Sequence, residues 1–261
     1  MAQKIKNTEH MLNYNKTKTI GAFMAVVALT SGAAMAEIEG DVYAGYSTQY
    51  NFRGVNNGDD LAEAGVNLST KCPLTGGTIT ASVWYGSVNA DDRLLDNQMN
   101  STLGINKEFG GVDVGFGFIR YDFDNSGGSS FFSDTSEIYL SAATDLYAGV
   151  RGKVAFYYDV EVNDGWYMEG TLSKSFEINE TVDLTITGGL SVYQSYAAFS
   201  DGMNQLFITV ALPWAIKDNV TLTPYLKYSN VDSDQFSGVN GGNLDFGDNE
   251  FFGGVRLNVS F

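Results

Sequence analysis

The chain ends in the stretch NEFFGGVRLNVSF, residues 249–261, in which apolar positions alternate with polar or small ones. The odd positions read Phe, Gly, Val, Leu, Val and Phe, whereas the even ones include Glu250, Arg256 and Asn258. Because side chains alternate between the two faces of a β-strand, the stretch has one apolar face and one mostly polar face. Two-faced segments of about ten residues are typical of strands that cross a membrane within a barrel. The stretch therefore predicts a membrane-crossing strand that ends at Phe261.

The same alternation recurs along the chain and predicts twelve strands. These segments lie at 41–53, 62–69, 79–86, 97–109, 112–123, 135–143, 150–160, 165–176, 182–192, 206–212, 220–228 and 249–261. Short connections alternate with mostly longer ones, and the short ones lie near 71–77, 109–112, 144–148, 177–181 and 213–219. No apolar run reaches the 18 or so residues of a membrane-spanning helix. The predicted fold class is all-β, a transmembrane antiparallel up-and-down β-barrel of twelve strands.

The alternative for alternating strands is a soluble β-sandwich or a lipocalin-like barrel, in which the apolar face points into the core. Here the opposite face is rich in Gly, Ser, Thr and Asn rather than in the Lys and Glu that usually cover a soluble sheet. The composition of 30 Gly, 15 Tyr and 17 Phe with 3 Pro also favours many strands. An even strand number places both chain ends in the periplasm, so the long loops face outward.

The first 36 residues have the features of a secretory signal. Lysines at positions 4, 6, 16 and 18 precede an apolar run at 20–29, and Ala34-Met35-Ala36 supplies small residues for cleavage. The alternative is a short anchor that stays attached, but ten apolar residues are too few to span a bilayer. We expect a signal peptide at 1–36 and an outer-membrane barrel at 37–261. Loss of the four lysines and of Glu9 would change the formal net charge from −16 to −19.

Composition and charge argue against several classes of function. A strongly acidic chain is a poor partner for nucleic acid, because phosphate neutralisation needs basic surface. His10 is the only His and lies within the predicted signal, and enzymes among outer-membrane barrels use a His base. Cys72 is the only Cys, which excludes an intramolecular disulfide or a Cys-based zinc cluster. We expect no enzyme activity, no cofactor and no dedicated metal site.

Charged residues on the inward parity are the candidates for the lumen or for its constriction. They are Arg53, Glu63, Arg120, Glu137, Lys153, Glu169, Lys227, Glu250 and Arg256, with Arg151, Asp159 and Asp183 of the same parity. Arg120 reaches this set only through a β-bulge, because it follows the apolar parity of Val112 to Phe118. We expect Arg53 and Glu63 to approach one another across the first hairpin, near the outer mouth. Six cations and six anions fit either a conducting constriction or a lumen closed by ion pairs.

The predicted outer loops are acidic. Their aspartates lie at positions 59, 60, 91, 92, 96, 124, 134, 232, 234, 245 and 248. They form either a solvated loop surface or a place where divalent cations bridge to the surface lipid, because hard cations prefer carboxylate oxygens.

The sequence Tyr50-Asn51-Phe52-Arg53-Gly54-Val55, followed by Ala64-Gly65-Val66-Asn67, resembles the TorF family of porins. The hallmark of that family is a first strand that closes on Phe-Arg-Gly, followed by a Gly-containing strand. The likeness covers about 30 residues. It departs from the family after Gly54, where Asn56 to Asp60 replace a Ser-Gln type of loop. The resemblance implies a porin-like barrel and supplies no individual functional residue.

Two hypotheses for function remain. One is a channel for passive diffusion of small hydrophilic solutes. The other is a structural or surface-interaction barrel with a sealed lumen and acidic extracellular loops. In both, the expected partners are outer-membrane lipid and the barrel-assembly machinery, which reads the terminal Phe261. The expected location is the outer membrane.

Overall fold

The computed structural model describes residues 37–88, 97–124, 133–195, 201–231 and 249–261. The predicted signal peptide at 1–36 lies outside these residues. So do the aspartates at 91, 92, 96, 232, 234, 245 and 248. Among the described residues, no helix is long and apolar enough to cross a bilayer.

Strands dominate the described residues. They are β1 (Ile38–Phe52), β2 (Val55–Lys71), β3 (Thr78–Ser87), β4 (Asn97–Phe109), β5 (Val112–Asp124), β6 (Thr135–Asp145), β7 (Arg151–Asp159), β8 (Trp166–Asn179), β9 (Val182–Gln194), β10 (Gly202–Ala211), β11 (Trp214–Lys217), β12 (Val220–Val231) and β13 (Glu250–Ser260). A 3-10 turn, Tyr147–Gly149, joins β6 to β7.

β10 and β11 are two parts of one wall strand. Both pair with β9 on one side and with β12 on the other. The ladder is interrupted at Pro213, which has no N–H to donate. The wall therefore has twelve strands, as the sequence predicts.

The wall closes on itself. Strands that are consecutive in sequence are neighbours in the sheet, and β13 pairs antiparallel with β1 from Asp41↔Ser260 to Ser47↔Gly254. Closure leaves no unpaired sheet edge, which is the condition for strands to lie in lipid. The predicted fold class, a closed antiparallel twelve-stranded barrel, is confirmed.

The two faces follow the alternation of the sequence. On β10, Leu206, Ile208 and Val210 are exposed on the outside of the barrel, whereas Gln205 and Phe207 between them are buried. An apolar outside surface of this kind is what a barrel wall that faces lipid requires. On the predicted periplasmic side the connections are short, as expected, and β4 turns into β5 through two glycines, Gly110 and Gly111, at positive φ.

The first hairpin differs from the prediction. We expected a long outer loop between strands ending near 53 and beginning near 62. Instead, β2 begins at Val55, and a tight turn at Arg53 and Gly54 connects it to β1. The turn residues have φ values of 53° and 85°, as in the two-residue turns typical of β-hairpins.

The outer part of this hairpin leaves the wall. Pairing between β1 and β13 ends at Ser47, and pairing between β2 and β3 begins only at Ala62. Residues 48–61, here called the lumenal hairpin, are thus not part of either neighbouring ladder. The wall strand expected at 41–53 therefore leaves the wall before its predicted end, and Tyr50, on the apolar parity of that segment, is buried among residues of the barrel interior instead of facing outward.

Candidate functional site

The lumenal hairpin reaches across the barrel. Its tip residue Arg53 bonds Glu137 of β6 and stacks on Tyr157 of β7 and Tyr167 of β8. β7 lies six strands from β1 in either direction around the wall, so the tip touches the side of the barrel opposite its own origin. β1 begins beside Phe261 at one rim of the barrel, which is the predicted inner rim, so the tip lies at the opposite rim, the predicted outer mouth.

Arg53 is clamped by a carboxylate and two rings. Its two Nη atoms donate to the two oxygens of Glu137 at 2.6 and 2.9 Å. The guanidinium carbon lies 4.6 Å from the Tyr157 ring centroid and 4.4 Å from that of Tyr167. The Tyr121 hydroxyl donates to Glu137 Oε2 at 2.9 Å. Side-chain exposure is 9% for Arg53 and 0% for Glu137, so bulk water screens this pair little.

The contacts of Arg53 with Glu137, Tyr157 and Tyr167 hold its backbone in an unfavourable conformation. Arg53 adopts a left-handed conformation, which costs a residue with a Cβ roughly 1–2 kcal/mol. Its bidentate pair with Glu137 and its cation–π contacts with Tyr157 and Tyr167 outweigh that cost, because a bidentate charge-assisted pair is among the stronger polar interactions. The turn is therefore held in place mainly by what Arg53 binds on the far wall.

An aromatic cluster holds one flank of the hairpin. Tyr50, Leu61 and Val88 are buried together, and the Tyr50 ring lies 5.5 Å from that of Trp84. The Tyr50 hydroxyl donates to Gln98 Oε1 of β4 at 2.8 Å. These contacts fix the hairpin to the wall on the β3 and β4 side.

Amide side chains hold the other flank. Gln49 Nε2 and Asn56 Nδ2 donate to the two oxygens of Glu250 at 2.8 and 3.3 Å. Gln205 Nε2 donates to Asn51 Oδ1 at 3.5 Å. Among the described residues, three buried amide atoms here have no hydrogen-bond partner: Gln49 Oε1, Asn51 Nδ2 and Asn57 Oδ1. Buried atoms of this kind cost about 1–3 kcal/mol each, so this flank opposes docking more than the aromatic one.

Glu63 belongs to a second ion pair further into the barrel. Arg256 of β13 donates to Glu63 Oε1 from Nε at 3.0 Å and from Nη2 at 2.7 Å. Trp84 Nε1 donates to Glu63 Oε2 at 2.7 Å, and the Arg256 guanidinium lies over the Tyr43 ring. The expected approach of Arg53 to Glu63 is therefore wrong. The hairpin crosses the lumen instead of staying in the wall, which carries Arg53 away from its neighbour strand.

Two inward lysines complete the charge pattern of the lumen. Lys227 of β12 lies 4.5 Å from the Phe207 ring centroid and 5.8 Å from that of Phe252. Lys153 of β7 is exposed and opposite Thr171 in the ladder. Neither lysine makes an ion pair within the described part of the chain, unlike Arg53 and Arg256. Glu169, also inward, accepts a hydrogen bond from the Tyr167 hydroxyl at 2.8 Å.

Arg120 does not join the lumen set. β4 and β5 pair from Asn97↔Asp124 to Phe109↔Val112 with no register shift, so the described residues 97–124 lack the expected bulge. Arg120 stays on the outer face and bonds Ser136, Asp122 and Glu161, with Asp134 at 3.5 Å. Because these carboxylates neutralise its charge, the Arg120 side chain can remain on the outer face without a bulge. Within the described ranges, no group of three or more His, Cys, Asp or Glu side chains is arranged to hold a metal ion.

Glu137, the ion-pair partner of Arg53, is among the candidates that the sequence predicts, whereas the aromatic partners of Arg53 are not. Tyr157 and Tyr167 were on the inward parity but carry no charge, so they were not candidates. The available signal was a run of inward tyrosines, at 139, 157, 167 and 193, on four successive strands. A bulky aromatic inside a barrel of twelve strands occupies space that a wide aqueous channel would leave empty.

Solved structures that resemble this barrel come from outer membranes. The NanC porin aligns with a TM-score of 0.51 at 16% sequence identity, over 85% of this chain and 98% of its own. An outer-membrane channel from Pseudomonas putida F1 aligns with a TM-score of 0.52 at 12% identity, over 87% of this chain and 96% of its own. The chain has the fold of a porin-type barrel. No protein-family model matches its sequence, and neither does any curated protein. A closed barrel with an apolar outer surface is the fold that the predicted outer-membrane location requires.

Proposed function

We propose that this porin-type barrel is a channel for passive diffusion of small hydrophilic solutes, with the lumenal hairpin as its outer constriction. The observation that supports this most is the departure of β1 from β13 after Ser47, which sends the hairpin to the opposite wall. A segment at that position controls the cross-section at the outer mouth. Below it, the wall presents small polar residues and Lys153 and Lys227, which form no ion pair with the residues that the structure describes, and such a surface suits water and dissolved solutes.

The second candidate, a structural barrel with a sealed lumen, is favoured by one specific observation. The hairpin contacts side chains on β4, β6, β7, β8, β10 and β13, which are six of the twelve wall strands and are distributed around the barrel. If it never leaves this position, it acts as a plug. The two candidates therefore differ in whether the hairpin moves or leaves a path beside it.

Conductance decides between them. The refolded protein would be studied in planar bilayers next to a variant in which residues 49–60 are replaced by Gly-Gly, which joins β1 to β2 by a short turn. A channel predicts measurable conductance in the wild type and larger conductance in the variant. A silent wild type with a conducting variant would indicate a plug. If neither protein conducts, although heat-modifiable mobility on gels shows that both barrels are folded, the channel is excluded.

The proposal extends to processing and family. We propose cleavage after Ala36, assembly through the terminal Phe261 and membership of the TorF family on the basis of the Phe52-Arg53-Gly54 turn. Intact-mass measurement of the protein from outer membranes tests the cleavage site, since the mature chain would begin at Glu37. The proposed mature chain has no His to act as a general base, because His10, the only His of the sequence, lies in the proposed signal peptide, and this supports a channel over an enzyme.

A further inference from the structure

The place that the Arg53 guanidinium occupies is a preformed pocket of the wall. Its floor is the Glu137 carboxylate on β6, which the Tyr121 hydroxyl of β5 orients. Its sides are the rings of Tyr157 and Tyr167 on β7 and β8. None of these four residues belongs to the lumenal hairpin. The pocket therefore keeps its walls if the hairpin leaves.

The chemistry of this pocket selects a planar cation. A carboxylate that accepts two parallel hydrogen bonds, at 2.6 and 2.9 Å, matches the fork of a guanidinium. Two tyrosine faces at 4.6 and 4.4 Å favour a flat, weakly hydrated cation over a compact ammonium. We propose that this pocket binds the guanidinium group of an external solute, which displaces Arg53 and releases the lumenal hairpin. Release of the hairpin by the solute rests on the proposed channel, whereas binding does not.

Competition with Arg53 sets the affinity that the wild type can show. A group tethered by a short chain segment acts at an effective concentration of about millimolar. A free solute must therefore reach at least that range to displace Arg53. In Arg53→Ala the competitor is gone, so the same solute should bind at least about tenfold more tightly.

Calorimetric titration of detergent-solubilised Arg53→Ala with methylguanidinium chloride tests the pocket directly. We expect one site, and at least about a tenfold loss of affinity in Arg53→Ala/Glu137→Gln, because the charge-assisted hydrogen bonds are weakened. Methylammonium should bind more weakly than methylguanidinium. Arg151→Ala is the matched control, since it removes an inward arginine that pairs with Asp113 and Asp145 but has no ring sandwich. If Arg53→Ala does not fold, Arg53→Gly serves, because Gly suits the φ of 53° at this position.

The outcomes separate cleanly. Binding to Arg53→Ala that weakens with Glu137→Gln supports the pocket. No binding to Arg53→Ala, or binding to the double variant or to Arg151→Ala that is as tight as binding to Arg53→Ala, overturns it. In bilayers, methylguanidinium on the outer side should raise wild-type conductance relative to sodium chloride of the same ionic strength, and an unchanged conductance would overturn the displacement of the hairpin. A barrel that never conducts would contradict the proposed channel, while the titration would still decide the pocket.

Discussion

The Arg53–Glu137 pair should determine how often the lumenal hairpin is docked. Arg53→Ala removes two charge-assisted hydrogen bonds and two cation–π contacts from a place where both side chains are almost fully buried. Losing one partner of a buried pair costs about 3–5 kcal/mol if the other stays buried. Here the hairpin can undock and let water reach Glu137, so we expect docking to lose about 3 kcal/mol. That is a shift of roughly 100-fold in the ratio of docked to released hairpin.

Single-channel recording measures this ratio as the open probability. We expect Arg53→Ala and Glu137→Gln each to raise it, and the double variant to add little. Their coupling energy should be about 2–3 kcal/mol, within the range measured for close charge pairs. Arg151→Ala is the control, because Arg151 pairs with Asp113 and Asp145 at the end of the barrel opposite the hairpin tip and its side chain is 43% exposed.

Trypsin gives a second, independent readout. Arg53 is protected in the docked hairpin, so Glu137→Gln should accelerate trypsin cleavage between Arg53 and Gly54. Mass spectrometry of the fragments measures the rate of this cleavage. Additive effects of the two substitutions, or equal open probabilities in Arg53→Ala and Arg151→Ala, would refute the role of this pair. So would unchanged cleavage at Arg53 in Glu137→Gln.

Three more outcomes are expected. In urea titration, Gly65→Ala should lower the free energy of unfolding by about 1–3 kcal/mol, because its Cβ would lie 2.4 Å from the Tyr43 ring. The control Gly170→Ala should be nearly neutral in the same titration, because its Cβ would meet no atom within 4 Å. Removal of Phe261, or Phe261→Asp, should reduce the heat-modifiable barrel in outer-membrane fractions, and normal levels would contradict the assembly role. Lys227→Gln should shift the reversal potential toward cations, an effect that weakens as salt shortens the screening length from about 8 Å; a shift that salt leaves untouched would argue against a field effect.

Much of the wall could be predicted because its signal is local. The parity of β10, with Leu206 and Ile208 outside and Phe207 inside, is written in adjacent residues and needs no knowledge of the rest of the barrel. The same holds for the glycine turn at Gly110 and Gly111. Strand count and inner or outer facing follow from such local patterns, and both agree with the structure.

The lumenal hairpin could not be predicted in the same way. The alternating pattern at Tyr50 and Phe52 shows only that these side chains contact an apolar surface. The same sequence pattern arises whether that surface is lipid or an aromatic cluster inside the barrel. Arg53 and Glu137 are 84 positions apart along the chain. Their contact depends on which strands face one another across the lumen, and local alternation does not show this. Arg120 shows a related limit, since parity does not reveal that three carboxylates gather around it.

The pairing of the first strand with the last has a consequence for how the barrel forms. Gly40 and Phe261 exchange two backbone hydrogen bonds, at 3.0 and 2.9 Å, across almost the whole length of the chain. Contacts between residues so distant in sequence are the slowest to form, because the entropy of closing the loop is lost before they contribute any stability. Each inner-rim hairpin is local and can zip early, whereas the Arg53 contacts need β6, β7 and β8 already in place. We expect pulse-labelling hydrogen exchange during refolding to protect β8 and β9 first, and the amides of residues 40–47 and 254–261 last.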